Sequence, residues 1–419
     1  MNRSTEPRWR MLGRTNLDQQ KKRAKELLRD YRREMAQAGE LFERFHPDPP
    51  QHGAAKLSDA QLVIARAHDF ASWPRFGRAV VLYNAMLDDD ADAVLAMLRR
   101  HPELLHERVN GATSNWGPPL ACAAQIGASR VFAALLPIPG QDRDWALDRA
   151  ILKGRSEFAR QLINAGTVPA PGVVMGPCET LNLSGLEFLA DIGAPLTDED
   201  GNPLKPVALL LEGYYRDPAA KHACLDFFER QGITYPDTPA MAFHRGRIRD
   251  LERHLENDAS LLARRFVHRE IYPPELGCHE DESLALHGTP LDGTTLLHLA
   301  IDFDERDVGT WLIQRGADVN ARASHDDDGF GGHTPLHGTV VSQAYRSGRQ
   351  RDAAFARMLL HHGADPAVKA SIRKRIRFIE DESLHEYRDV TPVEYGRRFH
   401  AREWVSEEAI ARMEQHAAP

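Results

Sequence analysis

Cysteine is scarce in this chain: Cys122, Cys178, Cys224 and Cys278 are spread singly through 419 residues, with no Cys-x-x-Cys pair. That density excludes a disulfide framework and a paired-thiol metal knuckle, and it fits a reducing compartment. Cys122, inside the run Leu-Ala-Cys-Ala-Ala, reads as a small core residue. There is no excess of positive charge either. With 53 basic against 61 acidic residues the net charge is −8, so no whole-chain attraction to nucleic acid or anionic lipid is expected. Nowhere do about 18 uncharged apolar residues run together, and the first residues carry no apolar stretch, so neither a membrane span nor an export signal is expected and the expected location is cytoplasmic. Gly-x-Ser-x-Gly, the Walker loop, a strand-led Gly-x-Gly-x-x-Gly, His-Glu-x-x-His and calcium-loop spacing are all missing. Catalytic residues are therefore unknown at this level, and no cofactor and no metal is expected.

What the sequence does contain is self-similarity. The segments Pro118 to Gly127, Trp145 to Gly154 and Thr295 to Asp304 superimpose without gaps, and each is followed by paired aliphatics 17 positions after its first residue, at Leu135/Leu136, Leu162/Ile163 and Leu312/Ile313. The pattern predicts a short helix, a turn at the tenth position, and a second helix with an apolar stripe. Gly127 and Gly154 stand where a left-handed turn residue is needed, with Asp304 as a weaker substitute in the third copy. A further echo joins Leu98-x5-Leu104-Leu105-x2-Arg108 to Leu255-x5-Leu261-Leu262-x2-Arg265. More degenerate copies are expected near 185–193 and 206–232.

Gly332-His-Thr-Pro-Leu-His337, Arg315-Gly-Ala-Asp-Val-Asn-Ala321, His362-Gly-Ala-Asp-Pro366 and Thr391-Pro-Val-Glu-Tyr-Gly396 give the chain its family resemblance. It resembles ankyrin-repeat proteins, in which Thr caps the first helix and Pro occupies a position that needs no N–H donor. The resemblance implies an all-α ankyrin-repeat solenoid of helix-turn-helix repeats with short hairpin loops. It also implies that His298 and His337 tie neighbouring loops together by hydrogen bonds. Residues 17–77 pattern as amphipathic helices separated by the breaker-rich loop His46 to Lys56, and resemble the helical leader found before many bacterial ankyrin arrays. Such a cap, with Trp73 and Phe76, covers the flank of the first repeat. The expected order is a flexible 1–16, a helical cap at 17–77, and an array at 78–416 of about eight or nine repeats with a period near 33.

The function this implies is a binding scaffold that recognises a protein partner through the concave face and finger loops. Candidate contact residues are Trp116, Tyr214, Tyr215, Tyr272, Tyr345 and Arg346, with His279, Glu280 and His287 from one extended loop (266–290) and His325, Asp326, Asp328 and His333 from the next (322–334). Thr295 to Thr334 spans 39 residues, which marks the second loop as lengthened. If the two fingers lie side by side, Asp281, Glu282 and Asp327 join the set. Those side-chain types are metal ligands and acid/base pairs, so a small-molecule or metal-dependent enzyme remains the alternative. Thr334 to Leu359 spans 25 residues where other copies use 17, and the extra residues at 341–351 predict a longer helix or a projecting turn that carries Tyr345, Arg346 and Arg349. The run Ser371 to Tyr387, basic then acidic, reads as a salt-bridged exposed helix, or as a site for phosphate or an acidic peptide. A polar last segment around Glu407, Glu408, Arg412 and Glu414 argues against end-to-end association, so a monomer is expected.

Overall fold

The computed structural model describes residues 9, 11, 13–280, 286–350, 352–377, 379 and 381–417. It forms two units, Met1–Ala170 and Pro171–Pro419. The first begins with α1 (Leu17–Arg32), α2 (Ala36–Phe45), α3 (Leu57–Ala67) and α4 (Trp73–Leu87). Asn16 starts α1 by accepting from the Asp18 and Gln19 N–H groups, the capping arrangement that satisfies otherwise orphaned donors. Tyr31 stacks on Phe42 at 3.7 Å, over a core that includes Phe45, Val63 and Ile64. The described part of the segment expected to be flexible is docked: the Trp9 N–H donates to the Ala67 carbonyl, Arg23 lies 3.5 Å over the Trp9 ring, and Met11 is buried. Helix α4 runs through 77/78, the expected edge of the leader.

Helix pairs follow: α5 (Ala91–Arg100) packs on α4, then come α6 (Pro119–Ile126) with α7 (Ser129–Leu135) and α8 (Arg143–Leu152) with α9 (Ser156–Asn164). At the turn between paired helices Gly127 has φ +84° and Gly154 +63°, and in the second unit Asp304 has φ +57°, as the aligned segments predict.

The second unit continues with α10 (Met175–Glu179) and α11 (Leu183–Asp191), α12 (Leu204–Glu212) and α13 (Pro218–Arg230), and α14 (Pro239–His244) and α15 (Ile248–Asn257). The Leu98/Leu255 echo has a structural counterpart. Both α5 and α15 run into a 3-10 turn, Pro102–Leu105 and Ala259–Leu262, that buries Leu104 and Leu261. After the short α16 (His268–Ile271) come α17 (Leu296–Asp302) with α18 (Arg306–Gln314), α19 (Pro335–Val340), α20 (Gln343–Arg346), α21 (Ala354–His361), α22 (Pro392–Arg398) and α23 (Glu407–Ala417). The architecture is all-α, with helix-turn-helix units of the ankyrin type. No helix among the described residues is long and apolar enough to cross a membrane. All four cysteines are free and buried.

Successive units are laced by their histidines. His298 Nδ1 accepts from the Thr295 hydroxyl at 2.9 Å, while Nε2–H donates to the His333 carbonyl at 3.2 Å. One unit later, His337 Nδ1 accepts from the Thr334 hydroxyl and N–H, both at 3.1 Å, and Nε2–H donates to the Val390 carbonyl at 3.2 Å. His333 and Val390 each directly precede the Thr of the next unit. At Thr391 the position holds Glu394 instead, whose carboxylate accepts from the Thr391 N–H at 2.9 Å.

Two sequence expectations are corrected. The Ser371–Tyr387 run is no helix but a hairpin of β1 (Ala370–Lys374) and β2 (His385–Val390), paired antiparallel. Its alternation explains why: Ile372, Lys374 and Ile376 are buried on one side, a period of two that suits a strand. The described part of the insertion, 341–350, does not lengthen α19, and its first residues turn inward while 346–349 are exposed. Ser342, Gln343, Ala344 and Gln350 are buried, and the two amides find partners, Gln343 Nε2 on the Tyr214 carbonyl at 2.7 Å and Gln350 Nε2 on the Ile301 carbonyl at 2.5 Å.

Candidate functional site

The insertion, the hairpin and the ends of three helices of the second unit enclose a cavity of about 660 Å³. Two of its lining residues, Gly213 and Leu286, are held by a buried ionic core. Arg216, in the link between α12 and α13, gives Nε to the Asp302 carbonyl and Nη2 to the Asp302 carboxylate, both at 2.9 Å, and its guanidinium lies 4.5 Å over Phe303. Nη2 also holds the Leu286 carbonyl at 2.9 Å, and Nη1 the Gly213 carbonyl at 2.6 Å, so one side chain fixes both lips of the cavity. Next to it Lys221 pairs with Glu305 at 3.2 Å and His222 with the same carboxylate at 2.9 Å. Charges this deep persist only when paired.

Helix α10 ends at Glu179 and α12 at Glu212, and both carboxylates face the cavity. The Tyr214 hydroxyl donates to Glu179 at 3.0 Å, and burial with that neighbouring carboxylate pushes the phenol above its usual range. Glu212 accepts from His279 through both the backbone N–H and Nδ1, the latter at 2.9 Å. His268 Nε2 donates to the His279 carbonyl at 3.0 Å, and its ring sits 5.0 Å from that of Tyr272. Arg346 and Gln343 reach the cavity from α20, Arg377 and Ile379 from the hairpin loop, and Trp404 from the turn before α23. Tyr214, Tyr272, His279 and Arg346, expected as separate contacts, thus share one cavity.

Other candidates lie elsewhere. Tyr215 is exposed, its ring tilted against that of Tyr214 with centroids 4.7 Å apart. Tyr272 is 1% exposed, so it forms a wall and no projecting anchor. His287 is not a solvated tip: it is buried, with Nδ1 3.4 Å from the Tyr272 hydroxyl and 3.9 Å from Asp302, and burial holds its imidazole well below the usual range. It lines a second cavity of about 300 Å³, which shares His268 with the first and includes Arg373, Lys374, Arg375 and Leu384. His333 is buried too, with Nε2 on the Pro290 carbonyl at 2.9 Å, and desolvation lowers its pKa to about 4.

The loop with His325, Asp326 and Asp328 closes on itself and on β1. Asp326 accepts from the Asp328 and Phe330 N–H groups at 3.0 and 2.8 Å, and Arg373 pairs with Asp326 and Asp328 at 2.8 Å each. Glu280, His325 and Asp327 are exposed, whereas Asp281 and Glu282 fall outside the described residues. Trp116 belongs to the first unit, edge-on to Tyr83 at 6.0 Å. Tyr345 is half-buried. The two fingers thus turn to different partners, one to Glu212 and the other to β1. Among the described residues no three His, Cys, Asp or Glu side chains gather as a metal-holding set.

Glu179, Glu212 and Trp404 are wall residues that the sequence reading missed, and Arg377 comes from the basic run read as a site for phosphate or an acidic peptide. The helix end at Glu212 carried a signal: a carboxylate in the last turn opposes the helix dipole and needs a local reason, here the cation-capable His279.

The ankyrin repeat family model matches residues 292–324. No curated protein matches the chain. Among solved structures, the human ASB11 ankyrin repeat domain has 13% identity over 81% of this chain and 98% of its own, with a TM-score of 0.23. The ankyrin repeat domain of Bcl-3, a member of the IkappaB family, has 17% identity over 79% of this chain and 96% of its own, with a TM-score of 0.19.

Proposed function

We propose that this ankyrin-repeat protein is a binding scaffold for a protein partner, and that the cavity lined by Tyr214, Tyr272 and Trp404 holds a side chain of that partner. Ankyrin repeats are generally protein-interaction modules, and one cavity carries the reading here. About 660 Å³ of space falls in the range of pockets that take a ligand group. Leu209, Tyr214, Tyr272, Leu286, Ile379 and Trp404 supply apolar wall, and the carboxylates, arginines and Gln343 supply orientation. Tyr215 and Tyr345 are the flanking contacts in this reading, together with Asp326 and Asp328 at the neighbouring loop. Trp116 is assigned a separate contact on the first unit. The cytoplasm is the proposed site of action, in keeping with four unpaired thiols.

Site-specific photocrosslinking in cells tests this. A p-benzoylphenylalanine replacing Tyr214, at the cavity mouth, should give a discrete covalent protein adduct, and the same group at Val168, 75% exposed on the first unit, should not. Adducts of equal yield at both positions, or none at 214, sink the reading.

A further inference from the structure

We infer that the side chain held in this cavity is cationic, an arginine or a lysine of the partner; this rests on the protein-binding reading above. The deeper polar groups on the lining are acceptors. Glu179 is half-buried and, among the described residues, accepts from the Tyr214 hydroxyl alone. The Glu212 side chain, 16% exposed, accepts only from the backbone N–H and imidazole of His279. Both carboxylates keep their charge, and each has lone pairs to spare, since a carboxylate offers about four acceptor positions. Gln343 is 4% exposed. Its Nε2 is turned to the Tyr214 carbonyl, which leaves Oε1 on the wall as an acceptor with no donor among the described residues. A buried acceptor left open is satisfied by a donor from outside.

The cations on the same lining do not cancel this. Arg377 is matched by Glu382, 3.2 Å from its Nε, and Arg346 is exposed, where water screens it far more than it screens a charge inside a hollow. Tyr214, Tyr272 and Trp404 add aromatic rings, which attract a cation lying over their faces. The second unit already holds two of its own cations by that combination. Arg216 lies 4.5 Å over the Phe303 ring and pairs with Asp302, and Lys221 lies 4.5 Å over the same ring and pairs with Glu305. A guanidinium carries five donors and an ammonium three, so either answers carboxylates and an amide oxygen at once. A neutral side chain would leave both carboxylates without a countercharge, and an acidic one would meet them directly.

Selection of displayed random dodecapeptides against the full chain tests the inference. Enriched peptides are titrated as fluorescein conjugates against wild type and Glu179→Gln/Glu212→Gln, with each basic residue of the peptide replaced in turn by a neutral one of like shape, citrulline for arginine and norleucine for lysine. A fixed Arg or Lys is expected in the consensus. Neutralising that residue, or the two carboxylates, should weaken binding by about tenfold or more, and the two changes together should cost little more than either alone. That coupling separates the cavity from basic peptides that adhere anywhere to a chain of net charge −8. Where the double variant departs from the wild-type circular dichroism, Glu179→Gln alone takes its place, with the same coupling expected. A consensus without Arg or Lys, no enrichment at all, unchanged affinity of the neutralised peptide, or effects of peptide and protein changes that simply multiply overturns the inference. A crosslinked adduct at position 214 with a consensus lacking basic residues removes only the cationic assignment, whereas absence of both adduct and enrichment removes the protein-binding reading as well.

Discussion

Lowering the pH from 7.5 to 5.0 should cost the second unit several kcal/mol through His333 and His337 alone. Both are buried, at 3% and 0% exposure, and desolvation lowers them to about 4 and about 3 respectively. An unfolded histidine titrates near 6.5. The folded pKa is the lower one, so the unfolded chain binds more protons below about pH 6.5, and stability falls as pH drops until the folded groups titrate as well. At pH 5 each histidine accounts for roughly 2 kcal/mol of that loss, about 4 kcal/mol together. The geometry gives the reason. His337 Nδ1 already accepts from Thr334 while Nε2–H donates to Val390, so a second proton would face a donor. His337→Gln removes the titration, and should lose about 1 kcal/mol at pH 7.5 from the altered hydrogen bonds. Its further loss on going to pH 5.0 should be about 2 kcal/mol smaller than that of wild type. Urea titrations followed by far-ultraviolet circular dichroism at the two pH values measure both quantities. The same pH-dependent loss in His337→Gln as in wild type refutes the assignment.

Arg216→Ala leaves the buried Asp302 carboxylate without its cation, so a loss of about 3–5 kcal/mol is expected in chemical denaturation; a loss below about 1 kcal/mol would mean that the carboxylate finds another partner. Gly396→Ala puts a Cβ 2.2 Å from Val340 Cγ1 and 3.0 Å from Ile410 Cδ1, which should lower stability by about 1–3 kcal/mol, visible as a reduced melting temperature. Thr391→Ala removes the hydroxyl that caps α22 by accepting from the Glu394 N–H at 3.2 Å, at an expected cost of about 1 kcal/mol. By contrast Arg373→Gln breaks ion pairs to Asp326 and Asp328 that are one-third exposed or more. It should change stability by less than about 1 kcal/mol, and a larger drop would show that the loop depends on it.

The parts of the fold that were legible in the sequence are those dictated by local geometry. Gly127 and Gly154 mark left-handed turns because few other residues take that backbone at no cost, and Thr391 marks a helix start because its hydroxyl accepts from the Glu394 N–H, an otherwise orphaned donor. The hairpin was misread since Arg373, Arg375 and Arg377 dominate the run by charge, while the strand signal sits in Ile372, Lys374 and Ile376 between them. The insertion after Val340 was visible as a length difference, but its direction depended on partners for Gln343 and Gln350 far away in sequence, Tyr214 and Ile301. For the same reason the cavity was only half legible. Tyr214, Tyr272, His279 and Arg346 stood out as residue types, yet nothing local places Glu179 beside Tyr214 or Trp404 on the same wall.

The histidine lacing gives the second unit a direction. A unit with Thr-x-x-His accepts a bond at its leading carbonyl and passes one on, whereas the unit starting at Thr391 accepts from His337 but, with Glu394 folded back on its own helix start, passes none. A copy of the Thr295 unit spliced in ahead of Thr334 would find a donor behind it and an acceptor in front. The same copy spliced in after Thr391 would meet no imidazole. Lengthening by duplication therefore keeps the lacing on one side of the Thr391 unit and loses one hydrogen bond, about 1 kcal/mol, on the other.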